Sequence, residues 1–212
     1  MKMNDTFIIA KDGLKCISAT AFLVLFFLII DAEILTFLST ILFLFTVWVY
    51  RNPERVIGQQ QDKSIVSVCD GTVKSIETLE DEEGNTSYKV VIKNHFYDTS
   101  ILRVPFNSTV KEVKTVSGAR LSDKSLLAER LNEKSLSIFI SGSEQVIVMH
   151  TLQIASVGIK NRLVEKQSVV QGARYGLMVK GESIMILPPE SRVALKVGHN
   201  VRAGETLVGY FS

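Results

Sequence analysis

The sequence predicts a mainly β domain, a β-sandwich or barrel-sandwich, behind an N-terminal hairpin of two transmembrane helices. Three observations predict it. Between residues 16 and 50 the only charged side chains are Asp31 and Glu33, whereas charge is spread through almost everything after Arg51. From Ser64 onward the chain is a succession of short β-branched runs broken by Gly, Asn and Asp, the pattern of strands joined by turns. Beyond the apolar runs, one stretch alone, 126–132 (LLAERLN), reads as a short helix.

The elements follow in chain order. Residues 16–30 form an uncharged run of 15 and residues 34–50 one of 17, parted by Asp31-Ala32-Glu33. Each is slightly short of the ~20 residues that cross a bilayer at ~1.5 Å per residue, so flanking residues such as Leu14 and Ala32 extend them. This predicts helices over 14–30 and 33–50. Trp48 and Tyr50 stand where an interfacial aromatic pair belongs, just before Arg51. Lys2, Lys11 and Lys15 precede the hairpin and Arg51 and Arg55 follow it, so both ends favour the cytoplasm, with the acidic triplet at the tip. A cleaved signal peptide is disfavoured, because no Ala-x-Ala-like site ends the first run and a second run follows at once. A pair of buried core helices is the plain alternative. Residues 1–57 are thus a membrane anchor and residues 58–212 a β domain lying against the inner leaflet.

In that domain, IVSVCDGTVKSIE reads as strand, turn, strand, with Asp70-Gly71 turning. Residues 80–87 (EDEEGNTS) read as a solvated hairpin loop. YKVVIK, ILRVPFNSTVKEVKTV, SLSIFIS, EQVIVMHTLQIA and NRLVEKQ read as further strands, and the C-terminal third as strand after strand. VVQGARYG and NVRAGETLVG echo one another, each a strand running into a glycine-dependent turn. Neither opens a helix, so neither is a phosphate-binding loop, and no lysine sits at a turn tip as a biotinyl or lipoyl carrier requires.

Composition excludes other classes. A net charge of +2 gives no basis for a nucleic-acid partner. The two cysteines, Cys16 and Cys69, lie in unlike contexts and indicate neither a disulfide framework nor a zinc site. His95, His150 and His199 show no metal-ligand spacing, so no metal is expected. Solvation is the plain reading for His199, in a Gly-Asn turn, and for Lys160 and Arg162. Phe96 and Tyr97 suit either the core or a membrane interface.

The order of segments resembles the short, membrane-anchored form of the phosphatidylserine decarboxylase proenzyme family over nearly the whole chain. VYRNPERVI at 49–57 stands where the family has FFRNPxR behind its hydrophobic pair. Val68-Cys69-Asp70-Gly71 matches its Pro-x-Asp-Gly turn, and DTSILRVP at 98–105 its Asp-x-His-x-x-Arg-x-Pro stretch. Asn132-Glu133, LQIAS at 152–156, GARYGLM and the terminal VGHNVRAGETLVGYF complete the series.

The resemblance implies a lyase that makes its own cofactor, converting phosphatidylserine to phosphatidylethanolamine and CO2. A serine hydroxyl attacks the carbonyl before it, elimination from the resulting ester leaves a dehydroalanine, and hydrolysis gives an N-terminal pyruvoyl group. The implied address is a bacterial-type inner membrane, on the cytoplasmic side. The implied partners are membrane phospholipid and, after cleavage, the chain's own large and small fragments. Carried over by position, Asp70 is the supporting acid. The family's histidine falls on Ser100, and Arg103 suits a phosphate or carboxylate, so both are placed with the substrate, an ordinary strand-end ion pair being the plain alternative for Arg103. The Gly-Ser cleavage motif falls on Gly181-Glu182-Ser183, with Glu182 at the serine position and Ser183 one place late. Cleavage between Glu182 and Ser183, with a local bulge restoring geometry, makes Ser183 the nucleophile and pyruvoyl precursor. His95, or failing it His150, then replaces the missing base. The alternative is a non-catalytic homologue that binds phospholipid head groups or a membrane partner. An archaeal-type variant acting on a related phosphoserine lipid is a third reading.

Overall fold

The computed structural model describes residues 9–55, 63–80, 86–155 and 157–212. The chain divides into a helical unit that ends at Glu54 and a β unit that begins at Arg55. The expected boundary at 57, and the charged hairpin tip at 81–85, fall outside the described residues.

In the helical unit a 3₁₀ turn, Lys11–Gly13, leads into α1 (Leu14–Ile29), and α2 (Glu33–Val49) returns. The reversal uses Asp31 at φ 56°, a left-handed conformation that a short polar side chain tolerates. Hydroxyls inside the helices bond back to their own turns, as Thr40 does to the Thr36 carbonyl and Thr46 to that of Leu42, both at 2.8 Å, so they need no outside partner. The hairpin is tied at its open end, where the Ala10 N–H donates to the Tyr50 carbonyl at 2.9 Å. Gly13 lies against Tyr50, and a Cβ there would stand 2.3 Å from the ring. No residue of α1 is buried, and Phe22, Ile29, Ile34 and Phe37 are all largely bare. By length and composition Lys11–Ile29 can cross a membrane, while Glu33–Val49 is apolar and shorter.

The β unit runs β1 (Ser64–Val66), β2 (Gly71–Glu80), β3 (Thr86–Asn94), β4 (Ile101–Arg103), β5 (Ser108–Val116), α3 (Ala128–Leu131), β6 (Lys134–Ser141) and β7 (Glu144–Leu152). It continues with β8 (Lys160–Asn161), β9 (Ser168–Val169), β10 (Arg174–Leu177), β11 (Gly181–Leu187), β12 (Arg192–Val193), β13 (Asn200–Val201) and β14 (Leu207–Tyr210). One eight-stranded sheet has the order β13-β2-β3-β11-β7-β6-β5-β9, and two three-stranded sheets have the orders β1-β14-β12 and β4-β10-β8. All pairings between these strands are antiparallel among the described residues, and the large sheet does not close into a barrel. In β6, β7 and β11 buried and half-buried residues alternate, as period-2 strands with one face on a core require. Their inward side chains, among them Phe139, Val148 and Met185, join Ile65, Leu102, Phe106 and Tyr175 in one apolar core. The fold is therefore the mainly β, sandwich-like domain with an apolar helix pair that the sequence predicts.

Three local expectations change. β1 and β2 are not a hairpin, since β1 pairs with β14 and β2 with β3 and β13, so the bend at 68–70 carries the chain between sheets. The expected helix at 126–132 shortens to the four residues of α3, because the hydroxyls of Ser122 and Ser125 accept nearby backbone N–H groups in the turns before it. NRLVEKQ is strand only at Asn161, the second residue of β8. Beyond that, Asn161 and Gln167 side chains take the N–H groups of Leu163 and Val164, and Lys166 sits at φ 64°.

Candidate active site

β11 is the central element, paired throughout with β3 on one side and with β7 through Ile186 on the other. Its register runs without a shift, so no bulge separates Glu182 from Ser183, contrary to the bulge that the sequence reading invoked. Successive side chains therefore point to opposite faces. Ser183 points inward and is fully buried, while Glu182 points to the other side and is half-buried. The strand starts at a close approach, where a Cβ on Gly181 would stand 2.2 Å from the Thr151 carbonyl oxygen.

Ser183 faces its cross-strand neighbour on β7, His150, and the Ser183 hydroxyl lies 2.7 Å from His150 Nδ1. The other ring nitrogen, Nε2, lies 2.6 Å from the Tyr175 hydroxyl, contributed by β10 of a different sheet. Cys69, on the bend before β2, completes the cluster, its thiol sensing the Ser183 hydroxyl. All four side chains are essentially without solvent contact. Burial pushes the His150 pKa down to about 3, so the ring is neutral across the physiological range. Burial also pushes the Cys69 thiol up to about 12, with the Ser183 hydroxyl opposing the rise and Asp70 and Asp98 adding to it. Burial raises Tyr175 well above the usual phenol value. With its proton on Nε2, the imidazole donates to Tyr175 and leaves Nδ1 to accept from Ser183. That is the arrangement of a hydroxyl, a base and a group that orients the base.

Asp70 is turned to a different task. Its carboxylate takes two hydrogen bonds of 2.6 Å from the Arg55 guanidinium and one of 2.8 Å from the Ala203 N–H. Burial works to raise its pKa, but the Arg55 bonds and charge, with the Ala203 N–H, outweigh it and hold the carboxyl below the usual carboxylate range. His95 bonds Asp98 at 3.2 Å and stacks on Tyr97 at 5.0 Å between ring centroids. Ser100 is buried, and its carbonyl accepts from the Met178 N–H. Arg103 is buried and donates to the Gly172 carbonyl at 2.9 Å. It lies where the two echoing turns meet, since Gly172 and Gly204 both have positive φ and Gly204 packs on the Arg103 stem.

On the outer face of the sheet, Glu182 lines a groove of about 440 Å³ with Lys74, Lys89, Lys134, Thr151 and Gln153. Lys74 is the extra residue of a bulge in β2, and it reaches Glu182 at 2.7 Å. Among the described residues His, Cys, Asp and Glu nowhere gather in threes as metal ligands.

The fold thus brings Ser183 to His150 and sets Asp70, His95, Ser100 and Arg103 on other partners. Tyr175 and Cys69 are additions to the residues singled out from sequence. Only the pairing of β7 with β11, which no local motif encodes, puts His150 beside Ser183.

Comparison with known proteins agrees with this arrangement of segments. The family model for phosphatidylserine decarboxylase matches residues 42–209. A phosphatidylserine decarboxylase proenzyme of Syntrophus aciditrophicus is 32% identical over 98% of this chain and 99% of its own length. One of Desulfotalea psychrophila is 28% identical over 95% of both chains. A putative archaetidylserine decarboxylase proenzyme of Methanocaldococcus jannaschii is 27% identical over 79% of this chain and 90% of its own. No solved structure matches. The chain belongs to the phosphatidylserine decarboxylase family.

Proposed function

We propose that this chain is a self-processing decarboxylase of membrane phosphatidylserine, with Ser183 as the source of its pyruvoyl group. The observation that carries this reading is the 2.7 Å contact between the Ser183 hydroxyl and His150 Nδ1. His150 accepts the hydroxyl proton as Oγ attacks the Glu182 carbonyl, and Tyr175 keeps the ring in the tautomer that can accept. Cleavage releases Glu182 as a new carboxyl end. Once formed, the carbonyl at position 183 supplies the electron sink for loss of CO2. Residues 183–212 contain most of β11 together with β12, β13 and β14, which pair with β1, β2, β3 and β7, so the two fragments stay assembled through these ladders. The bare apolar surface of α1 and α2 and the basic residues at both ends of the hairpin support an inner-membrane address with the β unit on the cytoplasmic side.

Intact-mass measurement of the purified chain tests this reading. Fragments 1–182 and 183–212, the second blocked at its amino end, are expected, and Ser183→Ala should abolish them. A single species of 23.6 kDa defeats the proposal.

A second reading is a non-catalytic homologue that holds phospholipid head groups. It is favoured by the orientation of β11. Glu182, at the position where the family pattern has its serine, faces the groove, whereas Ser183 faces the core. It predicts an uncut chain that retains phospholipid through purification, and Glu182→Ala or Lys74→Ala should reduce the lipid retained.

A further inference from the structure

The segment between β5 and β6 displays apolar side chains that the fold does not cover. Leu126 is 98% exposed, Leu127 55% and Leu131 50%. The segment is nevertheless pinned. Asn132 accepts from the Leu121 N–H at 2.7 Å and donates to the Leu121 carbonyl at 2.9 Å, closing the base of the loop. The Ala119 N–H donates to the Leu131 carbonyl at 2.7 Å, and the Glu133 N–H returns to the Ala119 carbonyl at 2.9 Å. Farther out, Asp123 is paired with Lys93 of β3 at 2.5 Å. These bonds hold both ends of the loop, and between them the leucines face solvent.

The charges around the leucines indicate what covers them. Lys124 and Arg130 are exposed beside them. Of the nearby acids, Asp123 is neutralised by Lys93, and Glu133 is occupied by the Ile159 N–H at 2.7 Å and by Arg120. Glu129 is the exposed acid that remains. Leucines flanked by cations suit the boundary between the acyl chains and head groups of an anionic bilayer.

We infer that residues 121–131 form a second membrane contact, in which Leu126, Leu127 and Leu131 enter the interfacial layer of the bilayer while Lys124 and Arg130 meet its anionic head groups. This rests on the membrane address proposed above. Leu126 and Glu129 also line the groove that contains Glu182, so the contact sets that groove at head-group level.

The test uses the full chain in vesicles of phosphatidylcholine and phosphatidylglycerol, with Cys16→Ser leaving only the buried Cys69 thiol. An environment-sensitive fluorophore is attached at Leu126→Cys, at Leu25→Cys in α1, or at Ser143→Cys in the exposed turn between β6 and β7. Lipid spin-labelled at head-group depth should quench the probe at 126, lipid spin-labelled deep along the acyl chain should quench the probe at 25, both probes should shift their emission to the blue, and neither lipid should affect the probe at 143. Quenching at 25 with none at 126 overturns the inference and leaves the membrane address standing. A blue shift at 126 without lipid quenching also overturns it, since a protein surface then covers the loop. Absence of quenching at both 25 and 126 removes the membrane address and the inference with it.

Discussion

His150 occupies a site that rejects its charged form, and this has a measurable sign. Its folded pKa lies near 3 against an unfolded value of 6.5, so the unfolded chain binds the extra proton across that interval. Stability is complete above about pH 6.5 and falls as pH drops toward 3, by up to about 1.4 kcal/mol per pH unit. Asp70, held below its usual 3.8, acts in the same direction but at lower pH, its contribution fading as pH falls through the folded pKa. Denaturant titrations in detergent at several pH values should show this decline, and His150→Asn should flatten it above pH 4 or so. Replacing Asp70 by Ala leaves the Arg55 guanidinium buried without its carboxylate, and about 3–5 kcal/mol of stability should be lost in the same assay. Tyr175→Phe removes the group that orients the ring, so under the processing proposal it should slow the appearance of fragment 183–212 without blocking it as Ser183→Ala does. At this scale the sequence said more about single residues than about their company. Ser183 and Asp70 stand in motifs, and motifs survive translation into numbers along a chain. His150 carries no motif, because its meeting with Ser183 depends on the register of β7 against β11.

β11 illustrates how much of an element can be inferred from period alone. Its alternation of Gly, Ser, Met and Leu with Glu and Ile sends one set inward, and the pattern is visible in the letters GESIMIL. The same period accounts for the recognition of β6 and β7. Two-residue strands such as β8, β9, β12 and β13 are too short to show any period, and the sheet to which each belongs is set by distant partners. The bend at 68–70 misleads for a related reason, since an Asp-Gly pair signals a reversal whether or not the flanking strands pair with each other. Gly181 supplies a prediction for the element as a whole. In Gly181→Ala the new Cβ meets the Thr151 carbonyl, so β11 must shift from β7, and a loss of about 1–3 kcal/mol is expected, read by denaturant titration. Amide exchange should quicken along β7 and β11 in that variant.

At the scale of the molecule, two units with unlike surfaces share one chain. The helical unit exposes apolar side chains on nearly every face, a distribution compatible with lipid and costly in water. Phe22→Arg places a guanidinium in the middle of α1, at a cost of roughly 2.5–3.5 kcal/mol for a helix centre. Under the membrane address proposed above, the variant should lose resistance to alkaline extraction from membranes, read by immunoblot of pellet and supernatant. This division was plain in the sequence, because the apolar runs and the β-branched runs differ in composition as well as period. The crossing of strands among three sheets was not, since it rests on contacts far apart along the chain.

The large sheet also ends abruptly on both sides. Its outermost members, β13 and β9, are two residues long. β13 covers only Gly71 and Thr72 of β2, and β9 only Ser108 and Thr109 of β5, so among the described residues the rest of each strand has no outer strand partner, and its edge is guarded instead by charge, Lys74, Glu77 and Glu80 on β2 and Lys111, Glu112 and Lys114 on β5. At high concentration those charges discourage a second copy from pairing along either edge, so molecules of this protein should stay dispersed rather than fibrous.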